Sequence, residues 1–396
     1  MGANRLREAS LRLVEPEAPP SRAAPARLVQ LTLSDFRSYE RLDLALDGRP
    51  VALSGPNGAG KTNLLEAISL LGPGRGIRGA RLDELARKGG PGGWAVAARL
   101  CDGEDERAIG VGAHAGDEHR RVVKIDGAPA PGPAALAGTL RLLWLTPAQD
   151  RLFLDSAAER RRFLDRMTIA HDPAHARAAN DYETAMRQRQ RLLDQGRRDD
   201  RWLSALETQM AEAGVAIAAA RRDMAGALSA AAVAGDGGPF PAADLALEGE
   251  IEALLGYAPA ADVEDDFARR LKAARPACAS AGRASVGPHR SDVLVAHRAK
   301  GAPARQCSTG EQKALLIGLV LANARALNFR ADGPPLILLL DEIAAHLDEA
   351  RREALYDIVS ALGLQCVMTG TDVSLFSAWR GRAQCFAVAD GAFHEL

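Results

Sequence analysis

The sequence predicts an α/β fold: a phosphate-binding head, with a mixed sheet and a β subdomain, interrupted by a mostly helical second lobe. Three observations predict it. A strand-like run ends in the glycine-rich stretch "GPNGAGKT" (Gly55 to Thr62), which opens directly into an apolar helical segment. A wholly apolar run, "LILLL", ends in adjacent carboxylates, Asp341 and Glu342. Between the two, from about 155 to 231, the chain is charged, lacks proline except Pro173, and carries helical rather than alternating periodicity. The expected organisation is a disordered leader at 1–27, the N-terminal part of the head at 28–152, a helical lobe with a short antiparallel hairpin at 153–275, and the C-terminal part of the head at 276–396.

Taken in order, the elements start with a strand ("RLVQLTL"), a turn ("SDFRSY"), two strands ("RLDLALD", "PVALSG") and a helix ("KTNLLEAISLL"). Residues 94–145 read as β hairpins punctuated by Gly, Asp and Pro, ending in the apolar strand "LRLLWL" and leaning as a subdomain on the first sheet. In the helical lobe, Trp202, Leu206, Met210 and Ile217 fall on one helix face. The partner helix, 176–195, sets Tyr182, Met186 and Leu193 on one side and Arg187, Arg189 and Arg191 on the other. Two such helices make a hairpin roughly 30 Å long. Segment 232–275 is Gly- and Ala-rich and gives no clear assignment. After Pro276 the α/β pattern returns, with a strand ("DVLVAHR"), a helix at 311–327, a strand ("PLILLLD"), a helix at 349–361 and a strand ("QCVMTG").

Composition narrows the class without naming a partner. A net charge of −1 supplies no global pull toward nucleic acid, although a local basic surface is compatible with it. The five cysteines are scattered and form no C-x-x-C pair, which argues against a disulfide framework or zinc ribbon and points to a reducing cytoplasm. The leader has no apolar core of a signal peptide, and the apolar stretch at 314–327 is too short to span a bilayer and carries Arg325. No membrane association is expected.

The chemistry concentrates in a few stretches. In Gly55, Pro56, Asn57, Gly58, Ala59, Gly60, Lys61, Thr62 and Asn63, the spacing G-x-x-x-x-G-K-T lets backbone N–H groups wrap phosphates. Lys61 then reaches the β and γ phosphates of ATP, and the Thr62 hydroxyl binds Mg²⁺. Asp341, at the end of a buried strand, is the expected second Mg²⁺ residue, and Glu342 the general base that activates water. Gln149 reads equally as a γ-phosphate sensor and as an exposed turn residue. Arg37 and Tyr39 precede the phosphate strand, where contact with nucleotide and ordinary packing are both open. Arg75, Arg78 and the cluster Arg160, Arg161, Arg162 suit contacts to DNA phosphates, or a solvated face. His171 and His175 have an i, i+4 spacing, but Pro173 interrupts the helix between them and no third ligand is apparent, which disfavours zinc.

The stretch "CSTGEQKALL" (307–316) resembles the L-S-G-G-E signature of ABC-type ATPases, with Cys307 and Thr309 departing from the usual Leu and Gly. That resemblance implies that Ser308 and Gly310 face the γ phosphate held by a second copy of the chain. The spacing Ser308-x-x-Glu311 is also a capping box, and both readings can hold at once. "AAHLD", with Leu347 and Asp348, resembles the loop that crosses the same dimer interface. Where many such ATPases carry a switch histidine, this chain has "MTGTD" (Met368 to Asp372), so Thr369 or Thr371 stands in and slow hydrolysis is expected.

Together with "LSDFRSYERLDL", "GRGIRGARLDEL", "LTPAQDRLF", "RRRFLDRM" and "GPHRSDV", these stretches resemble the RecF family from about residue 28 onward. The resemblance implies an SMC-like ABC-type head, a weak ATPase, ATP-dependent homodimerisation and binding of single-stranded and gapped duplex DNA. The partners it implies are RecR and RecO, and RecA through them. His289 and Arg290 match a motif of the family, for which packing against the nucleotide site is the expectation. The alternatives are the ATPase subunit of a membrane ABC transporter or another ABC-type ATPase that does not act on DNA, a long-armed SMC protein, and a module that holds ATP without hydrolysing it. Against the transporter stand the long separation of the phosphate loop from Asp341 and the charged helical insertion. Against the long-armed protein stands the absence of extended heptads.

Overall fold

A parallel strand buried on both faces reads as a continuous apolar run, and the centre of this molecule is built from such runs. The computed structural model describes residues 27–101, 105–117, 120–196, 199–233, 238–328 and 333–396. The leader expected at 1–27 lies outside the described residues except for Arg27. The first third contains β1 (Arg27–Phe36), β2 (Tyr39–Ala45), β3 (Val51–Ser54), α1 (Lys61–Ser69), β4 (Trp94–Cys101), β5 (Glu106–Ala113), β6 (Val122–Ile125), β7 (Ala128–Pro129) and β8 (Arg141–Leu145). The middle contains α2 (Ala157–His171), α3 (Ala174–Asp194), α4 (Asp200–Val233), β9 (Ala243–Glu248), α5 (Glu250–Leu254), α6 (Ala260–Ala273) and α7 (Arg275–Ala281). The last third contains β10 (Asp292–His297), β11 (Ala302–Pro303), α8 (Thr309–Asn328), β12 (Leu336–Leu340), α9 (Glu349–Ala361), β13 (Gln365–Gly370), β14 (Gln384–Ala389) and β15 (Ala392–Glu395).

The central sheet has the order β15-β14-β3-β13-β12-β8, with only β15 antiparallel to its neighbour. The pleat assigns its side chains to two cores. Leu336, Leu338 and Leu340 join Cys366 and Met368 on the face covered by α8 and α9, while Ile337, Leu339 and Val367 join α1 and the antiparallel strands on the other. The second sheet is antiparallel, in the order β2-β1-β4-β5-β6-β7. The Gln365 side-chain amide clips it to β13, accepting from the Leu28 N–H at 2.7 Å and donating to the Leu28 carbonyl at 2.9 Å.

Several sequence expectations shift. The turn at "SDFRSY" contracts because Asp35 and Arg37 take left-handed φ values of 47° and 52°, which lets β1 run on to the buried Phe36. The strand "LRLLWL" belongs not to the β subdomain but to the edge of the central sheet, where β8 pairs in parallel with β12. The strand "DVLVAHR" does not extend the central sheet. As β10 it sits between β9 and β11 in a separate three-stranded antiparallel sheet, so segment 232–275 supplies its partner. Pro276 lies in the first turn of α7, where its missing N–H costs nothing. Strands β14 and β15 carry no strong periodic signal, and β14 is specified by pairing with β3.

The helical hairpin is longer than its apolar spacing implies. Helix α4 has 34 residues, roughly 50 Å, and joins two cores. Its first half packs Leu206, Met210 and Ile217 with α3 and α6, and its second half carries Met224 and Leu228 into the core of the head. Trp202, expected on the buried face, is 48% exposed because it lies in the first turn of α4. Arg189, expected on the solvated face, is 1% exposed, because Phe267 and Leu271 of α6 add a third layer to the same core. Its Nε donates to Glu207 at 2.9 Å and its Nη2 to the Leu271 carbonyl at 2.6 Å, while Arg275 holds Glu207 from the other side at 2.8 and 2.6 Å.

Breaking this buried network leaves Glu207 without one of its two arginines. Arg189→Ala is expected to cost about 3–5 kcal/mol of stability, against less than about 0.5 kcal/mol for Arg187→Ala on the exposed face. Thermal melts of the two variants check this, and equal melting temperatures would refute it.

A candidate nucleotide-binding site

Because β8, β12, β13, β3 and β14 run parallel, their C-terminal ends meet along one edge, where ligands collect in open α/β sheets. The loop from β3 to α1 needs glycine at two points. Gly55 has φ 155°, and a Cβ there would collide with the Val388 carbonyl; Gly60 has φ 107° and would meet the Tyr39 hydroxyl. Gly55 N–H is held by the Gly370 carbonyl of β13 at 3.3 Å, and the Tyr39 hydroxyl donates to the Gly60 carbonyl at 2.9 Å. Lys61 is 4% exposed and donates to the carbonyls of Gly55 and Pro56 at 2.6 and 2.8 Å. Burial lowers its pKa, and the charges of Glu342 and Asp341 oppose that shift. All three groups therefore share one electrostatic environment.

The carboxylate end is equally ordered. Asp341, 5% exposed, accepts from the Thr62 hydroxyl at 3.0 and 3.1 Å and from the Thr369 hydroxyl at 2.8 Å. Glu342 takes the left-handed φ of 54°, which is uncommon for a residue with a Cβ. Its N–H donates to Thr369 Oγ1 at 2.8 Å. Thr369, 0% exposed, thus binds both carboxylate residues. A hydroxyl and a carboxylate already within hydrogen-bond distance form the hard oxygen pair that Mg²⁺ takes, and a glycine loop around a lysine fits a phosphate chain. The residues fit both groups.

Other expected site residues hold the frame. Arg37 grips Glu66 of α1 with two bonds of 2.8 Å and caps the Glu84 carbonyl at 2.6 Å. Arg78 reaches the same Glu66 at 2.6 Å and Asn63 at 2.9 Å, and Asn63 also donates to Ser38 at 3.0 Å. Both arginines brace α1, Arg37 through Glu66 and the Glu84 carbonyl, whereas Arg78 is exposed and commits only Nη1. Gln149 closes a capping box, its side-chain oxygen accepting from the Thr146 N–H at 3.0 Å. Asp348 is the N-cap of α9, accepting from Arg351 N–H at 2.8 Å. Thr371 is exposed just beyond β13.

Ser308, Thr309 and Gly310 are all exposed at the start of α8. Glu311 reaches back to the Ser308 N–H at 3.0 Å and pairs with Lys300, and Lys300 followed by Ser308 holds its carboxyl down at about 2.

The arginines proposed for DNA separate into two groups. Arg160 is bidentate on Asp292 at 2.8 and 2.7 Å, and Arg161 donates to the Ser291 carbonyl, so both fasten α2 to the start of β10. Arg75 is exposed, and Arg162 is exposed beside Glu159. His171 pairs with Asn323 at 2.6 Å and buried His175 with Asp165 at 2.9 Å, so their rings serve packing between helices. The motif "GPHRSD" does not pack on the nucleotide site. His289 accepts from the Tyr182 hydroxyl at 2.7 Å, and Arg221 of α4 donates to the Pro288 carbonyl at 2.7 Å, placing the motif at the root of the helical lobe.

Sequence reasoning missed Glu66 and undervalued Thr369. Glu66 is 1% exposed, and an acid at the apolar face of a helix implies a cationic partner. That signal could have found the pairing with Arg37 and Arg78.

The sequence matches the family described as RecF/RecN/SMC N terminal domain over residues 27–391. It is 54% identical over 370 residues to a DNA replication and repair protein RecF of Mesorhizobium japonicum, covering 93% of this chain and 97% of that one. It is 50% identical over 385 residues to the protein of the same description from Caulobacter vibrioides, covering 94% and 99%. The fold matches the solved structure of the recombination mediator protein RecF-ATPrS in the RecFOR pathway with a TM-score of 0.82 and 22% identity, covering 94% and 99%.

Thr369→Val keeps the shape but leaves the Glu342 N–H unpaired and takes a donor from Asp341. It is expected to lower stability by about 1–3 kcal/mol, whereas Thr369→Ser retains the hydroxyl and most of that stability. Denaturant titration of the two variants without nucleotide distinguishes them, and equal midpoints would remove Thr369 from this role.

Proposed function

The chain belongs to the RecF family, and from that premise we propose that it is an ATP-dependent DNA-binding protein of recombinational and replication-gap repair, acting in the cytoplasm. The loop Gly55–Gly60 and Lys61 bind the phosphates of ATP. Thr62 and Asp341 hold Mg²⁺, which supplies positive charge to the phosphate oxygens. Glu342 accepts a proton from the attacking water. Thr369 stands where a switch histidine is expected, yet its hydroxyl is engaged by Asp341 and Glu342, which supports slow hydrolysis.

The observation that carries the reading is the exposed turn Ser308–Gly310 at the start of the 20-residue helix α8. A helix N-terminus with accessible N–H groups attracts an anion, and in a second copy of the chain that anion is the γ phosphate. Two ATP molecules then close a homodimer by binding the closed state more tightly than the open one. Asp348, exposed at the N-cap of α9, faces the same interface. The dimer clamps single-stranded or gapped duplex DNA, hydrolysis releases it, and RecR and RecO connect it to RecA loading. The match to RecF proteins across nearly the whole chain weighs against a membrane transporter subunit.

Sedimentation velocity with labelled gapped DNA tests the clamp. Glu342→Gln is expected to slow hydrolysis by about 10²- to 10⁴-fold and to co-sediment with DNA as a dimer only when MgATP is present. Ser308→Arg is expected to bind ATP through its own loop and remain a monomer, and Lys61→Ala to lose ATP binding altogether. An ATP-independent dimer, or a normal dimer of Ser308→Arg, would refute the mechanism.

A further inference from the structure

Beside the edge strand β8, opposite α2, lies a cleft of about 310 Å³. That is the low end of the roughly 300–1,000 Å³ range of small-ligand pockets. Four arginines line it, Arg75, Arg141, Arg162 and Arg166; Arg141 donates to the Pro334 carbonyl at 2.7 Å, Arg162 pairs with Glu159 outside the lining, and the one acid in the lining is Asp165. That carboxylate is already engaged. Burial opposes its charge, but hydrogen bonds from Arg221 at 2.7 and 2.8 Å and from His175 at 2.9 Å hold it down at about 2. Asp165 therefore does not offset Arg75 or Arg166, while Glu159 partly offsets Arg162.

Arg166 is the distinctive member. Its guanidinium stacks over Trp144 at 4.7 Å and Phe163 at 5.3 Å, and its Nη2 is buried with no hydrogen-bond partner among the described residues. A buried guanidinium donor lacking an acceptor is costly, and an incoming anionic or carbonyl oxygen would relieve that cost. Burial also lowers its pKa to about 10, in keeping with an uncompensated charge. The remaining lining is largely apolar, including Leu140 and Ile169 beside Trp144.

The opposite wall is fixed in place. Arg121 donates to the carbonyls of Gly74 at 2.6 Å, Gly72 at 2.9 Å and Leu70, tying down the loop that carries Arg75. This loop follows α1 directly, so the cleft and the phosphate loop lie at opposite ends of one helix.

We propose that this cleft receives one unpaired nucleotide of a single-stranded nucleic acid, its base beside the Arg166–Trp144 stack and the apolar wall and its phosphate between Arg75 and Arg162. Apolar and aromatic surface rimmed by guanidinium groups is the chemistry that binds single strands without reading their sequence. A double helix keeps its bases stacked and is too bulky for a cleft of this size. An acidic peptide would match the charge but would leave the apolar wall of Leu140 and Ile169 without a flat apolar group to cover it. The inference rests on the reading of the chain as a DNA-binding protein and assigns a surface to it.

The test uses the full chain with MgATP and a gapped duplex carrying 5-iododeoxyuridine in the gap. Irradiation is expected to join the strand to Trp144, as mapped by mass spectrometry. Arg75→Glu combined with Arg162→Glu, both at exposed positions, is expected to weaken oligothymidylate binding roughly tenfold and to flatten its salt dependence. Arg99→Glu combined with Arg107→Glu, at exposed positions on β4 and β5 outside the cleft, is the charge-matched control and is expected to leave affinity unchanged. If wild-type protein binds gapped DNA but the double variant binds equally well, the cleft is not the strand's path and the DNA-binding reading survives. If wild-type protein binds no DNA, both fall. Protection of Trp144 by free thymidine monophosphate or polyglutamate at concentrations where oligothymidylate gives none would overturn the strand assignment in favour of that ligand.

Discussion

The carboxylate of Asp341 is the point on which the site depends. A buried charge requires partners, and here they come from two other segments of the chain: Thr62 at the start of α1 and Thr369 near the end of β13. Its own N–H is held by the Leu145 carbonyl of β8 at 2.9 Å. One residue thus fixes the register of four segments at the edge where the parallel strands end. Glu342 follows in a left-handed conformation because Thr369 holds its N–H, so strain and support sit in adjacent residues.

The sheet places this edge, but a single helix relates it to the rest of the molecule. Helix α4 belongs to the lobe core through Met210 and to the head core through Leu228. At the crossing, Arg221 joins Asp165 of α2 to the Pro288 carbonyl, while Ser291 donates to buried Glu252 at 2.7 Å. Arg160 and Arg161 add α2 to the start of β10 from the same side. The "GPHRSD" motif is therefore a joint between lobe and head. Its glycine has a physical reason, since Gly287 has φ 132° and a Cβ there would collide with the Tyr182 hydroxyl.

Local signals made the glycine-rich loop between β3 and α1, the strand "LILLL" and its two carboxylates legible as structure, because each is specified within a short window. The central strands were legible for the same reason, since burial on both faces leaves continuous apolar runs. Partnership was not legible. Strand β10 alternates well enough to pass for part of the main sheet, and only its pairing with β9, in a segment without clear periodicity, assigns it elsewhere. Arg189 and Arg160 look like solvated charges until Glu207, on the neighbouring helix, and Asp292, far along the chain, are placed opposite them. Charge pairing across more than a hundred residues, as for Arg160 and Asp292, leaves no pattern that a window can hold.

The nucleotide edge and the exposed Ser308 turn are also connected within one chain. The turn after β8 is closed by Gln149 on Thr146, and the next residue, Asp150, pairs with Lys313 of α8 at 2.7 Å. Lys313 lies in the second turn of the helix that Ser308 precedes, so the strand touching Asp341 is fastened to the element that would meet a second subunit. Asp150 and Lys313 are partly shielded, at 22% and 11% side-chain exposure, where an ion pair is screened less than at the surface. Asp150 Oδ1 is buried without a partner among the described residues. A buried carboxylate oxygen without a donor carries a desolvation cost that the Lys313 ion pair on the other oxygen offsets only in part. The one ion pair among the described residues between the turn after β8 and α8 thus keeps an unmatched carboxylate oxygen, next to the turn that Gln149 closes.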